Sequence, residues 1–321
     1  MSEPLVGLLG GMALLALSGE ALVRAAVALA RRLGLPSLLI GITVVAAATS
    51  MPELVVSVQS ALAGTPGIAV GNVTGSNIAN LALGLGAMGV LVPFTARRGA
   101  LRRDVAALVL ATAGFVVVGF FGGIGPIGGA LMVTALAAHL WNGYQRERRE
   151  RDAAARIHAE SPEEFGADWS AWLSLVVLAA STAGLIVGAR FLLDGAVAIA
   201  RVWGVSDAVI GLSVVALGTS LPEIATTAAA ARRREHDVAL GNLVGSSLFN
   251  LLAILGITAM VAPVPVDAAF IRTSGLALLA VTVLSVPWLT GRQRVGRRTG
   301  ALMIVGYVAY VSLATGVVAL G

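Results

Sequence analysis

The 321 residues contain no cysteine and no lysine. The first absence removes disulfides, thiolate metal sites and thiol nucleophiles, and says nothing about compartment. Charged residues make up 12% and aromatic residues 5% of the chain, both low for a soluble domain of this length. Histidine occurs three times, at 139, 158 and 236, always near the end of an apolar run or in a polar stretch. A hydrolase would need a nucleophile with a base beside it, and no such pairing falls in any motif described below, so the chain reads as a non-enzyme. The net charge of +5 comes wholly from arginine on the basic side. In a chain this apolar such charge belongs in cytoplasmic loops, not on a nucleic-acid surface.

What is present in quantity is apolar side chain and glycine: 57% hydrophobic residues, 39 glycines and a mean hydropathy of +0.90. Runs such as LVGLLGGMALLALSG, AALVLATAGFVVVGFF and WLSLVVLAASTAGLIVG approach the roughly 20 residues that cross a bilayer core as a helix. None alternates with period two, as a barrel strand would. The first 25 residues carry Glu3 and no basic leader, which predicts a retained helix and not a cleaved signal.

Cutting the chain at its charged and Pro/Gly stretches predicts ten transmembrane helices, at 5–31, 36–64, 68–92, 101–121, 125–145, 170–200, 206–231, 238–261, 269–289 and 301–319. Arginines cluster at 31–32, 97–103, 146–156, 232–234 and 292–298, whereas the turns GTPG, GGIG and VAPVPVD have no basic residue. Arg201 is a mild exception to the alternation. With the basic loops in the cytoplasm, as the positive-inside rule requires, both termini are extracytoplasmic. The expected location is a prokaryotic plasma (inner) membrane.

The two halves are copies. At an offset of 170, residues 19–86 match 189–256 without a gap, with about 25 identities that include Gly41/Gly211, Pro52/Pro222, Asn72/Asn242 and Gly75/Gly245. Five spans per half is an odd number, so the second copy lies upside down relative to the first. The expected architecture is an all-α membrane protein of two inverted-topology five-helix repeats, residues 1–145 and 170–321, joined by a polar cytoplasmic linker at 146–169. Inverted repeats place a transport site at their interface near the midplane.

Each repeat sets a glutamate after a proline in mid-span: TSMPE at 49–53 and TSLPE at 219–223. An ionisable side chain at that depth costs several kcal/mol, so it faces the protein interior and serves function. Pro52 lacks an N–H and crowds the carbonyl of Ala48; Pro222 does the same to Gly218. Backbone freed in this way is tolerated where it lines a polar cavity, and its carbonyls suit hard cations. Thr49 and Thr219 precede the glutamates by four residues and share their helical face, with Ser50 and Ser220 adjacent. A second element follows. GNVTGSNIAN puts Asn72, Ser76 and Asn80 in one stripe, and GNLVGSSLFN puts Asn242, Ser246 and Asn250 in another. Asn72 and Asn242 read as helix-packing hydrogen bonds; Ser76, Asn80, Ser246 and Asn250 read as ion contacts. Gly67, Gly71 and Gly75 form GxxxGxxxG, spacing that would seat this helix against the broken one. Carboxylates, amides, hydroxyls and carbonyls without sulfur or imidazole suit Na+ or Ca2+ and disfavour soft metals.

GITVVAAATSMPE with GNVTGSNIAN, and GLSVVALGTSLPE with GNLVGSSLFN, resemble the two alpha-repeats of the calcium/cation antiporter superfamily, most closely the prokaryotic sodium/calcium exchangers. The motifs occupy 41–86 and 211–256, and with the ten-span plan the resemblance covers essentially the whole chain. It implies exchange of three Na+ for one Ca2+ by alternating access, with the first and sixth helices sliding as gates. Carried over by motif position, the ligands are Glu53 and Glu223, with Thr49, Ser50, Thr219, Ser220, Ser76, Ser246, Asn80 and Asn250, plus the backbone carbonyls of Ala46 and Ala216. No cofactor is implied beyond the transported Na+ and Ca2+, and no obligate protein partner beyond the bilayer. A Ca2+/H+ antiporter is the alternative, because two neighbouring carboxyl groups can also carry protons.

This chain departs from the family pattern in three places. Ala48 stands where the first motif normally has glycine, which would stiffen the first break. Asn250 stands where several relatives have aspartate, which makes K+ dependence unexpected. Glu20 and Arg24 on the first span, and Arg190 and Asp194 on the sixth, are spaced as intrahelical pairs.

Overall fold

The computed structural model describes residues 2–155, 169–202 and 216–319. Helix α1 is Ser2–Leu33, and α2 covers 37–49 with a π-helical turn at Gly41–Val45. Helix α3 is Met51–Leu62; α4 covers 66–91 with a π turn at Asn80–Gly84; α5 is Arg102–Phe120. Strand β1 is Gly123–Ile124, followed by α6 at Pro126–Ala155 and α7 at Ala171–Val202. The rest comprises α8 (Ala216–Thr219), α9 (Leu221–Arg232), α10 (His236–Val261), β2 (Val264–Pro265), α11 (Ala268–Leu289) and α12 (Arg297–Ala319).

Five helices among the described residues, α1, α5, α7, α10 and α11, are long and apolar enough to cross a membrane. The pair α2 and α3 adds a sixth span if taken together, bent by 46°. The expected spans at 68–92 and 125–145 match α4 and α6 to within one residue at one end, the one at 301–319 falls within α12, and the one at 206–231 lies partly outside the described residues.

Two features add detail to these expectations. Gly123–Ile124 pairs antiparallel with Val264–Pro265, so the chain is mostly helical and not wholly so. Gly123 has a φ of 126°, and a Cβ there would meet the Pro265 Cα at 2.8 Å, so this turn is built around glycine. The polar linker expected to start at 146 remains helical to Ala155. Its sequence, QRERRERDAAA, consists almost wholly of strong helix formers with acids and arginines interleaved, which sustains a helix beyond the apolar span.

Packing between the long helices depends on missing side chains. Helices α1 and α7 run antiparallel in close contact: a Cβ on Gly188 would sit 3.0 Å from the Leu15 nitrogen, and one on Gly195 would sit 2.6 Å from the Pro4 carbonyl. The π turn of α2 lies against α10, where a Cβ on Gly241 would meet the Leu38 carbonyl at 2.8 Å and one on Gly245 the Ile42 carbonyl at 2.6 Å. Small residues thus seat a broken helix against the polar-striped one, but the contact crosses between the halves of the chain. Gly67 and Gly71 of the expected GxxxGxxxG have open space at the Cβ position among the described residues.

Candidate functional site

Both glutamates lie in the first turn of a helix that restarts after a break. Ser50 (φ −84°, ψ 7°) interrupts α2 and α3, and Ser220 (φ −87°, ψ −1°) interrupts α8 and α9, each with the proline in the first turn of the new helix. Proline is well placed there because its missing N–H belongs to a group without an intrahelical partner in any case. The break also turns the N-terminal end of a helix dipole toward each carboxylate. Glu53 and Glu223 are fully buried.

The two breaks are not identical. The Ser50 N–H reaches the Ala46 carbonyl at 3.0 Å, an ordinary helical bond, whereas the Ser220 N–H reaches Leu217 at 3.1 Å, one residue tighter. The first break carries Ala48 and the second Gly218 at the corresponding position. The Ala46 carbonyl also accepts from the Thr49 hydroxyl at 3.3 Å, so two protein donors already share this expected ligand. Ala216 begins α8, and its side chain lies outside the described residues.

A reciprocal set of hydrogen bonds ties the halves together. Asn72 Nδ2 donates to the Glu53 carbonyl (3.3 Å) and Ser57 Oγ (3.1 Å); Asn242 Nδ2 donates to the Glu223 carbonyl (3.2 Å) and Thr227 Oγ1 (3.0 Å). Their oxygens accept from the opposite half, Asn72 Oδ1 from Thr219 at 3.1 Å and Asn242 Oδ1 from Thr49 at 3.3 Å. Both amides are thereby occupied on both ends, which fits the packing role read for Asn72 and Asn242. Thr49 Oγ1 also lies 3.4 Å from Ser246 Oγ, and Ser50 Oγ donates to Glu223 Oε1 at 2.9 Å. These contacts bring the residues of both motifs to one place.

The remaining candidates stand out because they are unpartnered. Thirteen buried side-chain N or O atoms have no hydrogen-bond partner among the described residues, and eight of them belong to sequence-predicted ligands: both Glu53 carboxylate oxygens, Glu223 Oε2, Ser76 Oγ, Ser220 Oγ, Asn250 Oδ1 and both amide atoms of Asn80. An unsatisfied buried polar atom costs about 1–3 kcal/mol, and native interiors contain few. Their concentration at these positions marks an oxygen-rich site whose groups suit a hard cation.

Sequence reasoning missed three features here. Ser57 and Thr227, which receive the packing amides, lie between the two conspicuous segments of each motif, although they stand 170 apart on the glutamate helices. Asn77, which bonds Asn250, was passed over because its counterpart at 247 is serine. The π turns at Asn80–Gly84 and Phe249–Ile254 widen the helix where Asn80 and Asn250 stand, and nothing in the composition signals them. Away from the site, Glu20 pairs with Arg24 at 3.0 Å as expected, and also with Arg233 beyond α9; among the described residues no ion pair joins Arg190 to Asp194.

The chain matches the family model described as "Sodium/calcium exchanger protein" over residues 3–142 and 173–316. It is 32% identical over 315 residues to the inner membrane protein YrbG of Escherichia coli K12, covering 95% of each chain. It is 26% identical to the sodium/calcium exchanger MaX1 of Methanosarcina acetivorans, over 95% of this chain and 96% of that one. Among solved structures, the sodium-calcium exchanger NCX_Mj soaked without Na+ and Ca2+ superposes with a TM-score of 0.80 at 27% identity, covering 97% of this chain and 98% of that one. The same exchanger soaked with 2.5 mM Na+ and 0.1 mM Ca2+ gives a TM-score of 0.79. With a matching motif pair in each half, a family match across nearly the whole chain and a full-length structural likeness, this chain belongs to the sodium/calcium exchanger family of membrane antiporters.

Proposed function

We propose that the protein exchanges Na+ for Ca2+ by alternating access, with a stoichiometry of three to one. The observation that carries this is the cluster of eight unpartnered buried atoms on Glu53, Ser76, Asn80, Ser220, Glu223 and Asn250. Two carboxylates supply the fixed charge for one Ca2+ or two Na+. Hydroxyl and amide oxygens from Thr49, Ser50, Thr219, Ser220, Ser76, Ser246, Asn80 and Asn250, with the Ala46 and Ala216 carbonyls, complete the coordination. Ca2+ takes six to eight oxygens, a number within reach of this donor set, and the contact of Ser50 with Glu223 brings donors of both halves together. The architecture behind this reading is ten spans in two inverted repeats, 1–145 and 170–321, about the linker at 146–169. Hydrogen bonds that recur at an offset of 170 and cross reciprocally between the halves support it. The antiparallel pair α1 and α7 would move as the gate across this core.

Uptake of 45Ca2+ into proteoliposomes tests the counter-ion. Uptake driven by an outward Na+ gradient, and absent under a pH gradient of the same size, is the expected result. Uptake that follows the pH gradient and ignores Na+ would replace this reading with Ca2+/H+ exchange.

The proposed orientation puts both termini outside a prokaryotic plasma membrane. The loop contacts support it: Phe94 bridges to Val295 and Arg97 pairs with Asp237 at 3.6 Å, joining three arginine-rich segments on one side. The pairing of β1 with β2 joins two segments without basic residues. A cysteine at Thr65 is expected to react with an impermeant maleimide in intact cells, and one at Arg149 only after permeabilisation. The reverse pattern would invert the topology. The chain has no native cysteine to interfere.

A further inference from the structure

Next to the polar stripes, which the two halves share, position 77 differs between them: asparagine in α4 against serine at 247 in α10. Asn77, Ser247 and Asn250 are all fully buried. Asn77 Nδ2 lies 3.2 Å from the Ser247 backbone carbonyl, and Asn77 Oδ1 lies 2.9 Å from Asn250 Nδ2. The chemistry of this chain fixes every amide in it. A backbone carbonyl only accepts, so the Asn77 atom facing it is the NH2 group and the other Asn77 atom is oxygen. That oxygen also only accepts, so the Asn250 atom facing it is again an NH2 group. The atom left over on Asn250 is Oδ1, which is buried without a hydrogen-bond partner among the described residues.

The other half has no such chain. Ser247 donates to the Leu243 carbonyl of its own helix at 2.9 Å, and both amide atoms of Asn80 are without a partner among the described residues. Asn80 therefore has two faces to present, oxygen or NH2, whereas Asn250 has one. A cation is held by an amide oxygen and repelled by an amide NH2, so this difference bears directly on ion binding.

We propose that Asn77 is a positioning residue that pins the Asn250 amide with its oxygen toward the cation site, and so makes the two halves of the site unequal. It acts through Asn250 and needs no contact with the ion itself. This rests on the cation site proposed above but not on the exchange stoichiometry or on transport.

Equilibrium binding of 45Ca2+ and 22Na+ to the purified full-length protein in detergent tests it, with wild type, Asn77→Ser, Asn250→Ala and the double variant. Serine at 77 reproduces what α10 already carries at 247, a hydroxyl that can bond within its own helix, so the fold has a precedent for it. Asn77→Ser is expected to weaken at least one of the two ions by about fivefold, the worth of one hydrogen bond. In the Asn250→Ala background the same substitution is expected to add nothing, because there is no amide left to orient. Asn77→Ala, which drops both bonds without adding a hydroxyl, carries the same expectation and stands in if the serine variant is not recovered folded. Effects of the two substitutions that multiply, or dissociation constants unchanged by Asn77→Ser, would overturn the assignment. A proportional loss for both ions together with a lowered melting temperature would likewise reduce Asn77 to a packing residue. A wild-type protein that binds both ions and shows this non-additivity without exchanging them would sink the transport reading and leave the role of Asn77 intact; one that binds neither ion overturns both.

Discussion

Purified Glu53→Gln and Glu223→Gln proteins, reconstituted separately, are expected to lose Na+-dependent 45Ca2+ uptake by at least about 100-fold while eluting as folded protein. The magnitude follows from what each carboxylate is. They are fully buried and, among the predicted ligands, they alone can bear negative charge. Removing one member of a buried set of opposite charges costs about 3–5 kcal/mol, and each 1.4 kcal/mol is tenfold in affinity. Glutamine keeps the size and loses the charge, so the loss is not one of packing. Two internal comparisons sharpen the expectation. Glu223 Oε1 accepts from Ser50 at 2.9 Å, whereas the Ser76 and Ser220 hydroxyls face Glu53 without closing a hydrogen bond of that quality, so Glu53→Gln is the cleaner removal of charge. Glu20→Gln removes a charge that is about one-third exposed and paired with Arg24 and Arg233 near the surface. Such pairs are worth about 0–1 kcal/mol, and exchange by that variant is expected within about threefold of wild type. Wild-type uptake by either Glu53→Gln or Glu223→Gln would remove the central assignment.

How much of this was legible in the sequence depended on how local the physics is. Proline and glutamate in mid-span announce a break and a buried charge without any knowledge of tertiary contacts, and the breaks fall at Ser50 and Ser220 as the motif requires. The stripe Asn72–Ser76–Asn80 was likewise visible, because helical spacing alone puts those residues on one face. What pairs with what was not visible. That Thr49 bonds Asn242 and Thr219 bonds Asn72 is a relation between halves 147 to 193 residues apart, and only the fold creates it. Asn77 was hidden for the opposite reason. Comparison of the repeats emphasises what the copies share, and Asn77 matters where they differ. The helical extension to Ala155 was overlooked because a run of arginine and glutamate signals solvent first, although the same residues favour helix once a span has nucleated it.

The membrane potential is expected to drive Ca2+ movement even with Na+ balanced across the bilayer, because the two loaded forms differ in charge. Two ionised glutamates are neutralised by one Ca2+ or by two Na+. If the neutral oxygens of Ser76, Asn80, Ser246 and Asn250 hold a third Na+, as proposed above, the sodium-loaded site has one extra positive charge, and a cycle of three Na+ against one Ca2+ moves one net charge. That charge is worth roughly 2.3 kcal/mol per 100 mV, equivalent to about a fiftyfold change in the Ca2+ ratio sustained at equilibrium. The sign is fixed by the exchange: Ca2+ entering as three Na+ leave carries one positive charge out of the vesicle, so an inside-positive potential accelerates uptake and an inside-negative one slows it. Proteoliposomes clamped with valinomycin and graded K+ read this directly as initial 45Ca2+ uptake against potential. In this reading Asn250 is a neutral oxygen donor, and an amide at that position avoids a third carboxylate. A flux indifferent to potential would mean two Na+ or two H+ per Ca2+. The third sodium site would then have to be given up, and the asparagine stripe would belong to Ca2+ coordination alone.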